Sequence, residues 1–514
     1  MLTCARCAEH DAPRLNALPI RLLFATPECA PLVKTGGLGD VSASLPAALA
    51  RLGVEVRLLL PGYSQVLETL TDARELAGIP ARDSFPPAAL LAARGPHGVP
   101  LWVLDCPALY RRPGGPYLSP EGRDWPDNAL RFGMLSRVAA DLGCDGGPLD
   151  WRADVVHCNE WHTGLAPAYL HFAPGARAAS VITIHNLAFQ GNFAPELLPS
   201  LGLPSSSFSI DGLEYHGKIS FLKAALRYAD AITTVSPTYA REIQSEPLGF
   251  GFHGLLESRR NALTGILNGI DTALWDPRTD PLIPQRYDAN SLPAKRGNKH
   301  ALQRRMGLAG DDSIPVLGVV SRLAHQKGLD LLLQLASRLA ALPAQLAIQG
   351  IGDEEIRGAF LSLARRFPGK IAVSLGFDET LAHQIEAGAD MFLMPSRFEP
   401  CGMNQMYSQR YGTPPVVHAT GGLADSVVDC NPRSLADGSA TGFACTSAGA
   451  EDFLHAVERA VAAWRDPATW TALQRNGMAR DFGWGASAVQ YLEIYRRLAA
   501  PARPAARGGF RPMP

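Results

Sequence analysis

One pattern constrains this chain more than any other, and it occurs twice. Short apolar runs of strand length alternate with segments of helical periodicity, and Gly-rich turns follow several of the runs. Residues 20–26 (IRLLFAT) read as a buried strand and KTGGLGD (34–40) as the turn after it. Val41, Leu45, Leu49 and Leu52 then form one face of a helix. Gly53 ends that helix and VEVRLLL (54–60) is the next strand, so the segment is a β-turn-α-β unit. Further strands are expected at 101–104, 154–157, 181–184 and 231–235. A second series opens near residue 313 with SIPVLGVV and a helix from Gly328 to about Leu342. It continues through strands 345–350, 371–377, 390–395 and 414–418. Strands that alternate with helices imply parallel sheets covered on both faces.

The expected fold class is therefore α/β, with two Rossmann-like, doubly wound domains facing a central cleft. A chain of 514 residues is too long for one core, which agrees. The irregular stretch 263–300, rich in Pro, Asn and Asp, is expected to carry the crossover. That sets domains at 20–262 and 263–483, with an N-terminal extension at 1–19. The Pro-, Gly- and Arg-rich tail 501–514 reads as disordered.

Net charge is −1 and no long basic run occurs, which argues against nucleic acid or an anionic membrane as the main partner. No apolar stretch is long enough to span a bilayer. The first residues lack an apolar core and carry Glu9 and Asp11, unlike a secretory signal. Nine scattered cysteines do not suggest a disulfide framework, so the expected compartment is the cytoplasm. Cys4 and Cys7 form a lone CxxC near His10, but zinc needs four ligands and no second CxxC follows.

Each motif has a functional and an ordinary reading. In KTGGLGD the glycines let the backbone approach a ligand, the helix start attracts anions and Lys34 adds a positive charge. A plain βα turn would look similar. It is not GxGxxG, and strand 54–60 ends in Leu-Pro-Gly without the acid that holds a dinucleotide ribose, which disfavours an NAD enzyme. SRLAHQKGLD (321–330) sets Arg322 and Lys327 at a strand end, where two cations suit a departing diphosphate; surface ion pairs are the alternative. PSRFEPCGMNQMY (395–407) sets Glu399 and Gly402 in a turn, a clamp for sugar hydroxyls or simply a helix cap. TGGLADS (420–426) is a second Gly pair at a helix start, suited to phosphate or to an ordinary turn. His185 ends the strand VITI, and HCNEWHTG (157–164) reads as cleft lining and not as a metal site. No acidic pair stands out as a ligand set for a phosphate-bridging metal, so no metal and no cofactor are expected.

These pieces, in this order, resemble the bacterial glycogen synthase and plant starch synthase family. The resemblance rests on KTGGLGD, HNLAFQG (185–191), YADAITTVSPTYAREI (228–243), LNGID (267–271), SRLAHQKGLD, PSRFEPCG and TGGLADS, and spans roughly 20–498. It implies a GT-B glycosyltransferase that is retaining and metal-independent. The implied reaction moves glucose from ADP-glucose to the non-reducing end of an α-1,4-glucan. Lys34, Gly37 and Asp40 resemble donor-site residues of the first domain, and His185 and Asn268 those lining the glucose site. Arg322 and Lys327 resemble the diphosphate pair. Glu399, Cys401 and Gly402 resemble the loop on the glucose hydroxyls, Thr420 and Gly421 a second phosphate turn, and Phe377 the residue flanking adenine. Glu160 and Trp161 belong to the same implied substrate site. The segment 484–500 matches a last helix that crosses back to the first domain. The family pattern has His-Asp or Asn-Asp before the Trp where this chain has Asn159-Glu160, and often Tyr where it has Phe377. Two other readings stay open at this point: a GT-B enzyme with another donor such as UDP-glucose, and a non-catalytic sugar-nucleotide or glucan-binding protein.

Overall fold

The computed structural model describes residues 19–499. The expectations for 1–18 and for the tail beyond 499, including the CxxC at Cys4 and Cys7, lie outside these residues. Two large sheets organise the rest. The first has nine strands, in the spatial order Leu263–Gly265, Ala231–Thr234, Ala179–Ile184, Val155–Asn159, Arg21–Ala25, Glu55–Pro61, Pro100–Asp105, Ala88–Arg94 and Arg74–Ile79. The second has six: Ile371–Leu375, Gln345–Gly352, Val316–Leu323, Met391–Met394, Pro415–His418 and Phe443–Cys445. All pairs in the second sheet are parallel. In the first, the last two strands add as an antiparallel meander. That hairpin was not expected: its strands, RELAGI and AALLAAR, are poor in β-branched residues and largely half-buried or exposed, so their periodicity is weak.

The central strands are buried on both faces because helices cover both sides. Leu22, Leu23, Phe24 and Ala25 are fully buried, as are Leu346 and Ile348 at the heart of the second sheet. Both sheets begin near the middle and grow outward in two directions. In the first, the chain runs from Arg21–Ala25 toward Glu55–Pro61 and later returns to the other side of Arg21–Ala25 with Val155–Asn159. In the second, Val316–Leu323 lies between Gln345–Gly352 and Met391–Met394. Each reversal opens a crevice at the strands' carboxyl ends. The segments 26–36 and 160–164 meet at one crevice, and 322–328 and 395–402 at the other.

The boundary expected at 263 moves. Leu263–Gly265 pairs in parallel with Ile232–Thr234 and closes the edge of the first sheet, so the first domain continues past it. The expected helix 328–342 is two short helices, Leu329–Gln334 and Ala336–Ala341, broken at Leu335. In the irregular crossover, Trp275 is held between two rings of the second domain, His383 and Tyr407, each stacked 3.8 Å away and nearly parallel to it.

The last helix, Gly485–Ala499, packs into the core of the first domain through Ala488, Tyr491, Leu492, Ile494 and Tyr495. Tyr495 Oη lies 2.7 Å from His157 Nδ1, while Thr183 Oγ1 is 2.6 Å from the other ring nitrogen. Burial lowers the His157 pKa to about 3, so the ring is neutral and depends on both partners. Tyr495→Phe leaves Nδ1 buried and unpaired, and should destabilise the first domain by about 1–3 kcal/mol. Urea unfolding checks this; an unchanged midpoint would show that the helix is held by apolar packing alone.

Candidate active site

The loop after Arg21–Ala25 is shaped by an acid that the motif reading passed over. Glu28 is buried, and its carboxylate accepts from Thr35 N (2.6 Å), Thr35 Oγ1 (2.5 Å) and Gly36 N (3.2 Å). Tyr117 Oη donates to it as well. These bonds draw the Gly-rich turn back over the strand end. Lys34 Nζ lies 2.8 Å from Asp40 Oδ1. Burial holds the Asp40 carboxyl above the usual carboxylate range, against the pull of Lys34. Gly37 faces the second domain, and a Cβ there would stand 2.9 Å from Met403 Cε. The two glycine-bearing loops therefore face each other across the crevice.

Glu160 differs from the expectation. It is buried, with a left-handed φ of 62°, and its Oε1 accepts from the backbone N–H of His185 (2.6 Å) and Asn186 (2.8 Å). It holds the segment 185–191 in place and is not a free cleft-lining carboxylate. Burial pushes its pKa up to about 8, although the two backbone donors favour the charged form. Trp161, half-buried, stacks on His162 at 3.9 Å and leaves no room for a side chain at Gly191. His185 Nε2 is 3.1 Å from Asn159 Oδ1. Since Asn159 Nδ2 donates to Ala25 O, Oδ1 is the acceptor and His185 carries its proton on Nε2. Burial holds the His185 pKa near 3, so the imidazole is neutral. Asn268 is buried with an Oδ1 that has no partner among the described residues.

In the second domain Lys327 Nζ lies 2.6 Å from Glu399 Oε2, and Ser396 Oγ donates to the same oxygen at 3.0 Å. Side-chain exposure is 19% for Lys327 and 7% for Glu399, so the pair is largely desolvated. Gly328, at φ 66°, packs so closely that any Cβ would fall on the carbonyl of Pro395. Arg397 grips Asp330 with two bonds, of 2.6 and 2.7 Å, and ties the two loops together. Arg322 is exposed, its guanidinium 3.4 Å from Gln326 Oε1. Phe377 is 69% exposed at the end of Ile371–Leu375. Cys401 is buried and its thiol pKa is pushed up to about 12, which makes it a packing group and not a nucleophile. Gly402 takes φ 68° beside Glu399. Among the described residues, the N–H groups of Gly402, Met403 and Asn404 donate to no other group, at the mouth of the helix Asn404–Arg410.

Thr420 and Gly421 stand apart from this set. Thr420 Oγ1 and Gly421 N both donate to Glu242 Oε1 of the first domain, each at 3.0 Å. Their donors are therefore occupied by protein, contrary to the expected phosphate turn. Gly402 was expected as a backbone donor; Glu28, Tyr117 and the donors of Met403 and Asn404 were missed. An acid directly after a fully buried strand was a readable signal for Glu28; the Pro- and Gly-rich loop that carries Tyr117 gave none.

Two doubly wound domains, each with a crevice at its switch point, thus form the frame of the candidate site. Residues 21–258 match the starch synthase catalytic domain, and 307–476 match the glycosyl transferases group 1. The chain is 58% identical to the glycogen synthase of Nitrosospira multiformis over 481 residues, covering 93% of this chain and 97% of that one. It is 56% identical to that of Nitrosomonas eutropha over 499 residues, 96% and 99% of the two chains. The solved catalytic domain of starch synthase IV from Arabidopsis thaliana, bound to ADP and acarbose, superposes with a TM-score of 0.84 at 32% identity, over 94% of this chain and 100% of that one. The chain belongs to the glycogen synthase family.

Two expected outcomes follow from this geometry. Glu399→Gln keeps the shape and the acceptor but removes the charge facing Lys327; turnover should fall by about 2–4 kcal/mol of transition-state stabilisation, roughly 30- to 1,000-fold, with the fold intact. Full activity in steady-state kinetics would reduce Glu399 to a structural acid. The second concerns pH. The folded pKa of Glu160, about 8, lies above its unfolded value, so its contribution to stability is fully present below the unfolded pKa and is lost as pH rises through 8. Glu160→Gln keeps the oxygen that accepts from His185 and Asn186 without titrating. The variant should gain stability relative to wild type between pH 5 and 8, by at most about 1.4 kcal/mol per pH unit. Parallel stability curves would mean that Glu160 is ionised throughout.

Proposed function

We propose that this chain elongates an α-1,4-glucan such as glycogen at its non-reducing end with glucose from ADP-glucose, retaining the anomeric configuration and using no metal. The observation that carries this reading is the Lys327–Glu399 pair at the second switch point, facing the glycine loop of the first domain across the crevice. In this reading the first domain takes the acceptor and the second takes the nucleotide sugar. Breaking the bond between C1 and the diphosphate puts negative charge on the leaving group and positive charge on the ring. Lys327 and Arg322 neutralise the former, with the N–H groups of Gly402, Met403 and Asn404 and the turn at Gly37 as further donors. Glu399 holds glucose hydroxyls and faces the ring's developing charge. Lys34 and Asp40 border the donor from the first domain; neutral His185, Asn268 and Trp161 line the sugar's other side. Glu160 acts by fixing the His185 segment, and Thr420 and Gly421 by fixing the loop that bears Glu399. The acceptor 4-hydroxyl attacks in a crevice from which water is displaced. The chain's net charge of −1 is compatible with a neutral polymer and a small nucleotide sugar, and this reading needs no nucleic acid or membrane partner. Among the described residues no helix is long and apolar enough to cross a membrane, and the reaction's place is proposed to be the cytoplasm.

The adenine donor is favoured by Phe377, whose exposed ring offers a flat face that a purine covers better than a pyrimidine. The ADP bound to the Arabidopsis relative supports the same reading. Stacking of this kind is worth about 0.5–1.5 kcal/mol beyond area, roughly a tenfold preference at its upper end, so contacts to the base edge supply the rest. With glycogen as acceptor, kcat/KM should be higher for ADP-glucose than for UDP-glucose by at least about tenfold. Equal values, or a preference for UDP-glucose, would overturn the donor assignment.

A further inference from the structure

The segment between the strand Ala231–Thr234 and residue 242 docks onto the second domain by an arrangement of which the reaction scheme above uses only Thr420 and Gly421. Two six-residue helices, Pro237–Glu242 of the first domain and Gly421–Ser426 of the second, cap each other. Asp425 accepts from Thr238 N at 2.7 Å and from Thr238 Oγ1 at 2.6 Å, at the start of the first helix. Glu242 accepts from Gly421 N and Thr420 Oγ1, both at 3.0 Å, at the start of the second. Each acid sits in the last turn of its own helix, the end where backbone carbonyls disfavour negative charge. Each is instead placed on the free N–H groups of its partner. Neither forms an ion pair with a Lys, Arg or His among the described residues, and Glu242 Oε2 is buried there without a partner. Helices this short are unstable alone, so each is held by the other.

The double cap is joined to the reacting groups by the backbone. Ser236 Oγ donates to Pro400 O at 2.7 Å. Gly422 N donates to Glu399 O at 3.1 Å, and Gly421, at φ 46°, lies so close that a Cβ would fall on that same carbonyl. Glu399 in turn bonds Lys327. A continuous path of hydrogen bonds and close contacts therefore runs from the first domain to the carboxylate that faces Lys327.

We propose that Glu242 and Asp425 are positioning residues: their reciprocal caps form a fixed pivot between the domains that holds the loop 399–402 in register with the first domain, so that the glucan hydroxyl and not water reaches the sugar. This rests on reading Glu399 and Lys327 as donor-site groups. Loosening the pivot shifts Glu399 and Lys327 relative to the acceptor side and admits water, which attacks C1 in place of the glucan and yields free glucose and ADP.

The test measures, for one preparation, glucose transferred to glycogen and glucose released to water from ADP-glucose. With Glu242→Ala, transfer turnover should fall about 10- to 100-fold, and the ratio of hydrolysis to transfer should rise at least about fivefold. Glu242→Gln, which retains the accepting oxygen, should restore both to within about threefold of wild type. Should Glu242→Ala fail to fold, Thr238→Ala removes one bond to Asp425 and should raise the same ratio to a smaller degree. A merely structural role lowers transfer and hydrolysis in parallel and leaves their ratio unchanged; that result, or wild-type behaviour of the alanine variants, overturns the proposal. Absence of transfer by the wild-type chain would instead refute the reading of the active site on which the proposal rests.

Discussion

The candidate site is organised around one largely desolvated ion pair, Lys327 with Glu399, 2.6 Å apart at the reversal point of the second sheet. Taking both charges out of water is costly unless geometry and further hydrogen bonds compensate. The surroundings supply that compensation. Ser396 donates to the same carboxylate oxygen, and Arg397 locks its loop to Asp330. Gly328 and Gly421 bring backbone against backbone at positions where any side chain would collide with the carbonyls of Pro395 and Glu399. The pair is therefore held before any ligand arrives, which is the condition for a charge that stabilises a transition state without reorganising.

The first domain uses the same device with different chemistry. Its acids at the strand ends do not face the crevice as charges. Glu28 gathers the donors of Thr35, Gly36 and Tyr117, and Glu160 gathers those of His185 and Asn186. Each fixes a loop whose backbone would otherwise be free. Met403 opposite Gly37 marks the plane where the two faces meet.

Much of this was legible in the sequence. Leu22 to Ala25 and Leu346 to Ile348 are continuous apolar runs, and such runs between Gly-rich turns announce buried parallel strands. Lys327 and Glu399 were each read at a strand end, but that these residues, 72 positions apart, pair with each other was not. What could not be read was which donors protein groups would satisfy. Thr420 and Gly421 look like a phosphate turn because free N–H groups at a helix start attract any anion, and the anion turned out to be Glu242, 178 residues away from Thr420. Glu160 misled for the same reason, since a carboxylate's partners are decided by tertiary packing. The hairpin at 74–94 escaped notice because its strands are half exposed and carry no strict alternation.

In the proposed reaction the crevice between the two sheets transfers glucose to a glucan chain. Its most direct test is incubation of the purified chain with ADP-glucose and glycogen, following ADP released and glucose incorporated in the same samples. One glucose should be incorporated for each ADP released, all of it in new α-1,4 linkages at non-reducing ends. Release of ADP without chain growth, or no consumption of ADP-glucose at all, would contradict it.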